Sequence, residues 1–247
     1  MKTQDFINRE LHYGAHNYHP LPVVLNRGEG VYLWDVEGKR YLDFLSGYSA
    51  LSQGHCHPKI VEALKKQADV LTLTSRAFYC DLLGEFMEKA TKFFGYDKLL
   101  PMNTGAEGVE TALKLARRWG YDVKGVPEGK AKIVVCADNF HGRTITIVSM
   151  STDPSSYGGF GPFTEGFVKI PYNDVSALEK VITDPDIVGF LLEPIQGEGG
   201  VRMPADGYLK AVRALCDKYN ALLIFDEIQT GMGRTGTFYA YEAQGTQ

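Results

Sequence analysis

The sequence has little of what marks membrane, nucleic-acid-binding or disulfide-stabilised proteins. Its longest apolar runs are about five residues, whereas a membrane-spanning helix needs about 18. Lysine and arginine total 26 against 30 acidic residues, a net charge of −4 without a basic cluster, which argues against nucleic acid or an anionic membrane as partner. The four cysteines stand singly and far apart. We therefore expect no metal site, reduced and mostly buried thiols, and a small-molecule partner.

What is present is the composition of a folded globular protein in 247 residues. Apolar residues make up 44% and charged residues 23%, both near the average for globular domains, which excludes a disordered or fibrous chain. The start of the chain has no apolar stretch of signal-peptide length, and Asp5 and Glu10 disfavour a transit peptide. We therefore expect a cytoplasmic location.

The pattern of apolar residues near the start of the chain differs from the pattern farther along. Short extended segments broken by turns predict a small antiparallel meander, at Val23–Leu25, Val31–Asp35 and Tyr41–Phe44. Apolar residues three and four apart predict one helix from Pro58 and another after Asp81. We expect residues 1–50 to form an N-terminal segment of helix and meander, and residues 51–247 to form a larger domain.

From about residue 98 onward, short apolar strands alternate with helical stretches. The predicted strands are Lys98–Met102, Lys132–Ala137, Phe167–Ile170, Ile187–Leu192 and Ala221–Phe225. The predicted helices are Ala106–Arg118, Arg143–Met150, Val175–Val181 and Tyr208–Tyr219. Strands that are apolar on both faces and joined through helices predict an α/β fold, a mostly parallel sheet with helices on both faces. In such sheets the functional residues follow the carboxyl ends of the strands.

Two of the loops after these strands carry side chains suited to a flat, anionic cofactor. Thr104, Gly105 and Ala106 form a polar turn that enters a helix, which suits a phosphate, although an ordinary helix cap explains the same residues. Phe140 and Arg143 suit the covering of a ring and the binding of a carboxylate. The alternative for that pair is a core ring and a surface cation.

Carboxylates follow the next two strands. Glu193 and Glu198 lie in a glycine-rich loop; a pair of acids is also typical of glycosidases, and a solvated loop is a third reading. Asp226 directly follows an apolar strand, where an unpaired charge costs several kcal/mol, so it needs a helix cap, an arginine or a cationic cofactor ring as partner. The glycine pattern from Gly231 to Gly236 resembles a dinucleotide-binding motif, but no amphipathic helix is predicted after it, so we expect no such site.

Together these motifs resemble the pyridoxal-phosphate-dependent aminotransferases of fold type I, and within them the ornithine aminotransferases of the class III subgroup. Matching segments cover nearly the whole chain, at 13–18, 52–58, 103–107, 140–143, 193–200, 226–230 and 233–236. The resemblance implies the large-domain fold of that family, a homodimer, pyridoxal 5'-phosphate as cofactor, and transfer of the δ-amino group of ornithine to 2-oxoglutarate. Acetylornithine and 4-aminobutyrate aminotransferases of the same class are alternatives, as is a non-catalytic cofactor-binding module.

The resemblance also implies which residues bind the cofactor. The turn Thr104–Ala106 would bind its phosphate, and Phe140 and Ile228 would cover the two faces of its pyridine ring. Gln229 would bind its phenolic oxygen. Asp226 would keep its pyridine nitrogen protonated, because a cationic ring accepts electrons from the substrate more readily.

For the substrates, the resemblance implies four further roles. Arg143 would bind a carboxylate. Glu198 would mask a second arginine while ornithine is bound and release it for 2-oxoglutarate. Tyr18 and Tyr48 would recognise the polar end of ornithine and separate this enzyme from its acetylornithine and 4-aminobutyrate relatives.

One essential residue of the family has no counterpart in these 247 residues. The family's Schiff-base lysine is expected roughly 30 residues beyond Asp226, which lies past Gln247. Lys218, the last lysine present, precedes the strand that ends at Asp226. The resemblance therefore implies an N-terminal fragment that lacks the C-terminal part of the family fold and is inactive by itself.

Overall fold

The structure is a computed structural model that describes residues 2–246. The chain divides into two compact units, Met1–Leu99 and Leu100–Gln247. The expected boundary near residue 50, which separates the N-terminal segment from the family domain, stays a prediction.

The described part of the first unit contains three helices and a three-stranded sheet. In chain order the elements are α1 (Thr3–Tyr13), β1 (Leu25–Glu29), β2 (Tyr32–Asp35), β3 (Arg40–Leu42), α2 (Pro58–Ala68) and α3 (Asp81–Phe94). The strands pair in the order β1–β2–β3 and are antiparallel. The predicted meander and the two predicted helices are confirmed.

The first strand lies later in the chain than predicted, because its stabilising contact is not an apolar one. Of the predicted segment Val23–Leu25, only Leu25 belongs to β1. Arg27 of β1 lies opposite Trp34 of β2, with its guanidinium carbon 4.3 Å from the centroid of the Trp34 ring. Such a cation–π contact contributes about 0.5–1 kcal/mol at an exposed site, and apolar periodicity does not detect it.

The second unit contains a parallel sheet covered by helices on both faces. Its elements are α4 (Gly105–Trp119), β4 (Lys132–Cys136), α5 (Ile145–Met150), α6 (Pro154–Tyr157), β5 (Phe167–Ile170), α7 (Val175–Ile182), β6 (Ile187–Leu192), α8 (Tyr208–Lys218) and β7 (Leu222–Phe225), with a π-helical turn at Gly120–Lys124 and a 3-10 helix at Ala240–Gln244. The strands are hydrogen-bonded in the order β5–β4–β6–β7, and every pair is parallel. The predicted α/β fold is confirmed.

Different helices cover the two faces of this sheet. Leu178 of α7 and Leu209 of α8 form one core with Phe190 of β6. Leu113 of α4 and Ile147 of α5 belong to the other core. All six residues of β6 are buried, as expected of a central strand with helices on both sides. Burial of each large apolar side chain contributes about 1.5–3 kcal/mol, so β6 anchors both layers.

One predicted strand is wrong, and one helix begins later than predicted. Lys98–Met102 belongs to no sheet in the part of the chain that the structure describes. Pro101 lies in this segment and has no N–H to donate to a neighbouring strand, so the apolar run does not pair. α5 begins at Ile145 rather than at Arg143, because Thr144 has an extended backbone, with φ −71° and ψ 163°, outside the helical region.

The environments of the cysteines agree only in part with the sequence-based expectation. Cys136 and Cys216 are buried, but Cys80 is half-buried and Cys56 is exposed, so the thiols are not mostly buried. All four are free. Within residues 2–246, no helix has both the length and the apolar character needed to cross a membrane.

Gly120, at the end of α4, allows this helix to lie against β6. A Cβ atom at residue 120 would lie 2.2 Å from Cγ1 of Val188, which is fully buried. We expect Gly120→Ala to lower the free energy of unfolding by about 1–3 kcal/mol, the usual cost of overpacking a core.

The matched control is Gly108→Ala in the same helix, where no atom lies within 4 Å of the added Cβ. This change should be neutral or stabilising by up to about 1 kcal/mol, because alanine favours a helix over glycine. Chemical denaturation measures both variants. Equal stability of the two would contradict the proposed packing of α4 on β6.

Candidate active site

The first turn of α4 has the features of an anion-binding site. The Thr104 hydroxyl oxygen accepts a hydrogen bond from the Glu107 N–H at 3.1 Å and so caps the helix, which leaves its own O–H free to donate. The N–H groups of Gly105 and Ala106 belong to the first turn, where no carbonyl of the helix is available to them. These donors and the positive end of the helix dipole favour a phosphate.

Two close contacts join this turn to the loops that follow β4 and β7. A Cβ atom at Gly105 would lie 3.2 Å from Cγ2 of Ile228, in the loop after β7. A Cβ atom at Gly142, in the loop after β4, would lie 3.0 Å from Cβ of Ala106. Gly142 also has a positive φ that side chains rarely adopt. The helix N-terminus therefore lies directly beside both loops.

Asp226 forms a buried pair with His141. It follows β7, and its Oδ2 lies 2.6 Å from Nδ1 of His141, with the two side chains 5% and 0% exposed. Its Oδ1 accepts the N–H of Ile228 at 3.1 Å. A carboxylate is an acceptor, so the geometry assigns a proton to Nδ1 of His141. Nε2 of His141 is buried and has no hydrogen-bond partner among the described residues.

A second buried carboxyl lies at the end of β6, between the strands that lead to His141 and Asp226. Oε2 of Glu193 accepts the N–H of Phe140 at 3.1 Å. Burial raises the pKa of Glu193 to about 7, although the nearby His141 and the Phe140 N–H act to lower it. Asp226 adds to the increase, because a second negative charge disfavours ionisation.

The sequence-based interpretation overlooked His141 and treated Glu193 only as a loop acid. No short-range signal links His141 to Asp226, which are 85 positions apart. The position of Glu193 directly after a six-residue buried strand was a usable signal, since the same position in β7 is what singled out Asp226. The structure thus supplies the partner that Asp226 was expected to need, and it is a histidine.

The ring and the cation predicted in the loop after β4 lie side by side. The guanidinium carbon of Arg143 is 6.0 Å from the centroid of the Phe140 ring. Phe140 is half-buried and its backbone is held by Glu193, whereas Arg143 is exposed. Phe140 is therefore fixed in position, and the Arg143 fork is accessible to an anion.

The loop after β6 is held against the loop after β4 and presents Glu198. Gln196 is fully buried and donates its side-chain N–H to the carbonyl of Ala137 at 2.8 Å. Arg202 pairs with Asp138 at 2.5 Å and forms an antiparallel bridge with Gln196. Glu198 itself is exposed, so the two acids of this loop, Glu193 and Glu198, have different surroundings.

Glu198 and Gln229 contact each other. Oε1 of Glu198 accepts a hydrogen bond from Nε2 of Gln229 at 3.2 Å. A Cβ atom at Gly197 would lie 2.4 Å from Oε1 of Gln229, so a side chain at this position would displace the Gln229 amide. The structure therefore brings together all the site residues predicted in the second unit: Thr104, Gly105, Ala106, Phe140, Arg143, Glu198, Asp226, Ile228 and Gln229.

The two remaining predicted residues lie in the first unit and contact each other. The hydroxyl oxygens of Tyr18 and Tyr48 are 2.5 Å apart. Both side chains are about half exposed, at 56% and 54%. The residues that the structure describes contain no group of three histidine, cysteine, aspartate or glutamate side chains that could hold a metal ion.

Comparisons with a family model and with curated proteins both relate the chain to aminotransferases. Residues 13–247 match the model of the aminotransferase class-III family. The mitochondrial ornithine aminotransferase of Rattus norvegicus is 62% identical over 240 residues, which are 97% of this chain and 55% of the rat protein. The chain therefore spans little more than half the length of this curated relative.

Two solved structures are similar to the chain. The ornithine aminotransferase of Toxoplasma gondii, crystallised with oxidised glutathione and with PLP at partial occupancy in its active site, has a TM-score of 0.97 and 51% identity. The match covers 98% of this chain and 57% of that one. The acetylornithine aminotransferase of Elizabethkingia anophelis has a TM-score of 0.87 and 53% identity, over 100% of this chain and 58% of that one.

Glu193 makes the stability of the protein dependent on pH. Because its pKa is raised from 4.5 to about 7, the folded protein binds more protons than the unfolded one between these values, and stability falls as the pH rises through this window. In Glu193→Gln the amide oxygen still accepts the Phe140 N–H, but the titration is lost. We expect the stability of this variant relative to the wild type to rise by about 2 kcal/mol between about pH 5 and about pH 8.

Denaturation curves at the two pH values measure this change. The matched control is Glu198→Gln, which makes the same change at an exposed glutamate of the same loop. A Glu193→Gln variant with the same pH profile as the wild type would show that Glu193 is ionised throughout.

Proposed function

The chain belongs to the aminotransferase class-III family, and from that premise we propose that the protein containing it is a pyridoxal-phosphate-dependent ornithine 5-aminotransferase. The proposed reaction transfers the δ-amino group of ornithine to 2-oxoglutarate and yields glutamate 5-semialdehyde and glutamate. Identity of 62% with the rat ornithine aminotransferase supports this substrate.

The observation that carries the proposal is a buried carboxylate beside an anion-binding helix end. The Asp226–His141 pair is almost fully buried, and the loop that follows Asp226 contacts the first turn of α4 through Ile228 and Gly105. A cofactor with a cationic ring at one end and a phosphate on a short arm matches this arrangement. The PLP found in the Toxoplasma gondii enzyme is such a molecule.

The residues of the second unit fit pyridoxal 5'-phosphate. Thr104–Ala106 would bind its phosphate with N–H and O–H donors, and Phe140 and Ile228 would cover the two faces of its ring. Gln229 would donate to its phenolic oxygen. When bound, the cofactor supplies an electron-withdrawing ring that stabilises the carbanion left when a proton leaves the amino-bearing carbon of the substrate.

Asp226 and His141 would keep the nitrogen of this ring protonated and therefore positively charged. The Asp226 carboxylate would hold a proton on the ring nitrogen, while His141 donates from Nδ1 to the same carboxylate and fixes its orientation. Because the two side chains are 5% and 0% exposed, water does not compete for these hydrogen bonds. In a site with little water, an oriented charge of this kind contributes strongly to catalysis.

Substrate recognition would be shared among four residues. Arg143 is exposed, and its planar fork would bind a substrate carboxylate in a bidentate manner. Glu198 would mask a second arginine during the ornithine half-reaction, and its contact with Gln229 holds it beside the residue assigned to the cofactor. Tyr18 and Tyr48 would bind the polar end of ornithine through their paired hydroxyl groups.

The remaining proposals concern assembly and the rest of the protein. The lysine that binds the cofactor covalently would lie in a part of the protein that follows these 247 residues, since the chain spans 55% of the rat enzyme. We propose a homodimer, as the resemblance to this family implies. The cytoplasmic location stays a prediction.

The test of the proposal is an assay of the full-length protein that contains this chain. With pyridoxal phosphate, ornithine and 2-oxoglutarate, we expect glutamate 5-semialdehyde and glutamate in equal amounts, measured by mass spectrometry. N-acetylornithine and 4-aminobutyrate should react at least about tenfold more slowly, which corresponds to roughly 1.4 kcal/mol of discrimination. A preference for N-acetylornithine would instead assign the activity of the Elizabethkingia anophelis relative.

Asp226→Ala tests the site within the same assay. We expect kcat to fall by about 10² to 10³, as when one preorganised electrostatic partner of the reacting group is removed. Asp217→Ala is the control, because Asp217 pairs with Arg213 on the exposed side of α8, and its activity should stay within about twofold. An Asp226→Ala enzyme as active as this control would remove Asp226 from the mechanism.

A further inference from the structure

The backbone that carries Tyr48 is a left-handed turn of four consecutive residues. The φ angles of Ser46, Gly47, Tyr48 and Ser49 are 51°, 58°, 53° and 72°. Only one of the four is glycine, the residue that adopts such angles without strain. Residues other than glycine persist in this region only when their surroundings hold them there, and such strain is concentrated at binding and catalytic sites.

Asp43 holds the start of this turn. Its Oδ1 accepts the N–H groups of Leu45 and Ser46, both at 2.9 Å. Its Oδ2 lies 2.7 Å from Nε2 of His55, and the two side chains are only 8% and 17% exposed. The hydrogen bond from Ser46, followed by that from His55, lowers the pKa of Asp43 below its usual value, so the acceptor stays ionised at neutral pH.

His55 is in turn held by the end of the meander. Its backbone forms an antiparallel bridge with Gly30, with hydrogen bonds of 2.8 and 3.0 Å in the two directions. A Cβ atom at Gly28 of β1 would lie 2.8 Å from Cβ and Cγ of His55. The imidazole therefore packs directly on the backbone of β1 and has little freedom to move away from Asp43.

We propose that Asp43 and His55 are positioning residues for ornithine recognition, because together they lock the left-handed turn that aims the Tyr48 hydroxyl at the Tyr18 hydroxyl. Neither residue touches the substrate in this account. If the turn relaxed to the right-handed region, the Cα–Cβ bond of Tyr48 would change direction and the hydroxyl, at the far end of a long side chain, would leave Tyr18. The inference rests on the proposed role of Tyr18 and Tyr48.

The test compares Asp43→Ala with Asp35→Ala in the full-length enzyme. Asp35 is a matched control in the same unit: it is 8% exposed and accepts three hydrogen bonds, from the N–H groups of Glu37 and Lys39 and from the Tyr41 hydroxyl. Its turn does not carry Tyr48. A merely structural role would make the two variants behave alike.

For Asp43→Ala we expect KM for ornithine to rise about tenfold, the effect of losing one good polar contact, while kcat stays within about twofold. KM for 2-oxoglutarate should stay within about twofold, because its carboxylates are assigned to arginines and not to the tyrosine pair. Asp43→Asn, which retains the Oδ1 acceptor, should restore most of the affinity for ornithine. Asp35→Ala should leave both KM values within about twofold of the wild type.

The outcomes of this test separate the proposed function from the proposed positioning role. A wild-type enzyme that does not transaminate ornithine contradicts the proposed function itself. An active wild type, with KM for ornithine changed less than about threefold in Asp43→Ala, or with both KM values raised in parallel, contradicts only the positioning role. If Asp43→Ala does not fold, His55→Gln replaces it under the same criteria, and a crystal structure of that variant shows whether residues 46–49 keep their positive φ angles.

Discussion

The hydrogen bond between Asp226 and His141 is the constraint on which the candidate site depends. A carboxylate at the end of a buried strand costs several kcal/mol unless it is paired, so β7 can end on Asp226 only with a partner beside it. The sheet order places β6 between β4 and β7, and the loop after β4 must cross the end of β6 to bring His141 to Asp226. Glu193, at the end of β6, is consequently buried beside both.

Close backbone contacts at two glycines hold the parts of the candidate site next to each other. Gly142 allows the loop after β4 to lie on Ala106, and Gly105 allows the start of α4 to lie on Ile228. The Asp226–His141 pair and the anion-binding turn Thr104–Ala106 are thus fixed relative to each other by short backbone distances rather than by flexible side chains. The first unit uses a related device, in which the buried Asp43 holds a strained turn that carries Tyr48. The second unit thus relies on close backbone contacts at glycines, and the first on a carboxylate that accepts backbone N–H groups.

Most of the fold was predictable from the sequence, because continuous apolar strands separated by amphipathic helices have few solutions other than a covered parallel sheet. The apolar content of Lys98–Met102 wrongly predicts a strand, because Pro101 lacks the N–H that pairing requires. The site was predictable in a different way. The alternation of strands and helices indicated that functional residues follow the carboxyl ends of the strands. The roles of Thr104 and Gln229, in contrast, were implied by the resemblance to a family. The partnership of His141 with Asp226 was out of reach, because only the folded sheet brings together residues 85 positions apart.

The most direct test of this account is the protonation state of the cofactor ring nitrogen in the full-length protein. Pyridoxal phosphate labelled with ¹⁵N at that atom reports its protonation through the nitrogen chemical shift, which solid-state NMR measures on the bound cofactor. The account predicts the shift of a protonated pyridine nitrogen throughout about pH 6 to 9, because the buried Asp226 carboxylate, oriented by His141, would hold the proton there. A wild-type enzyme whose bound cofactor shows the shift of a neutral pyridine nitrogen in this range would contradict it.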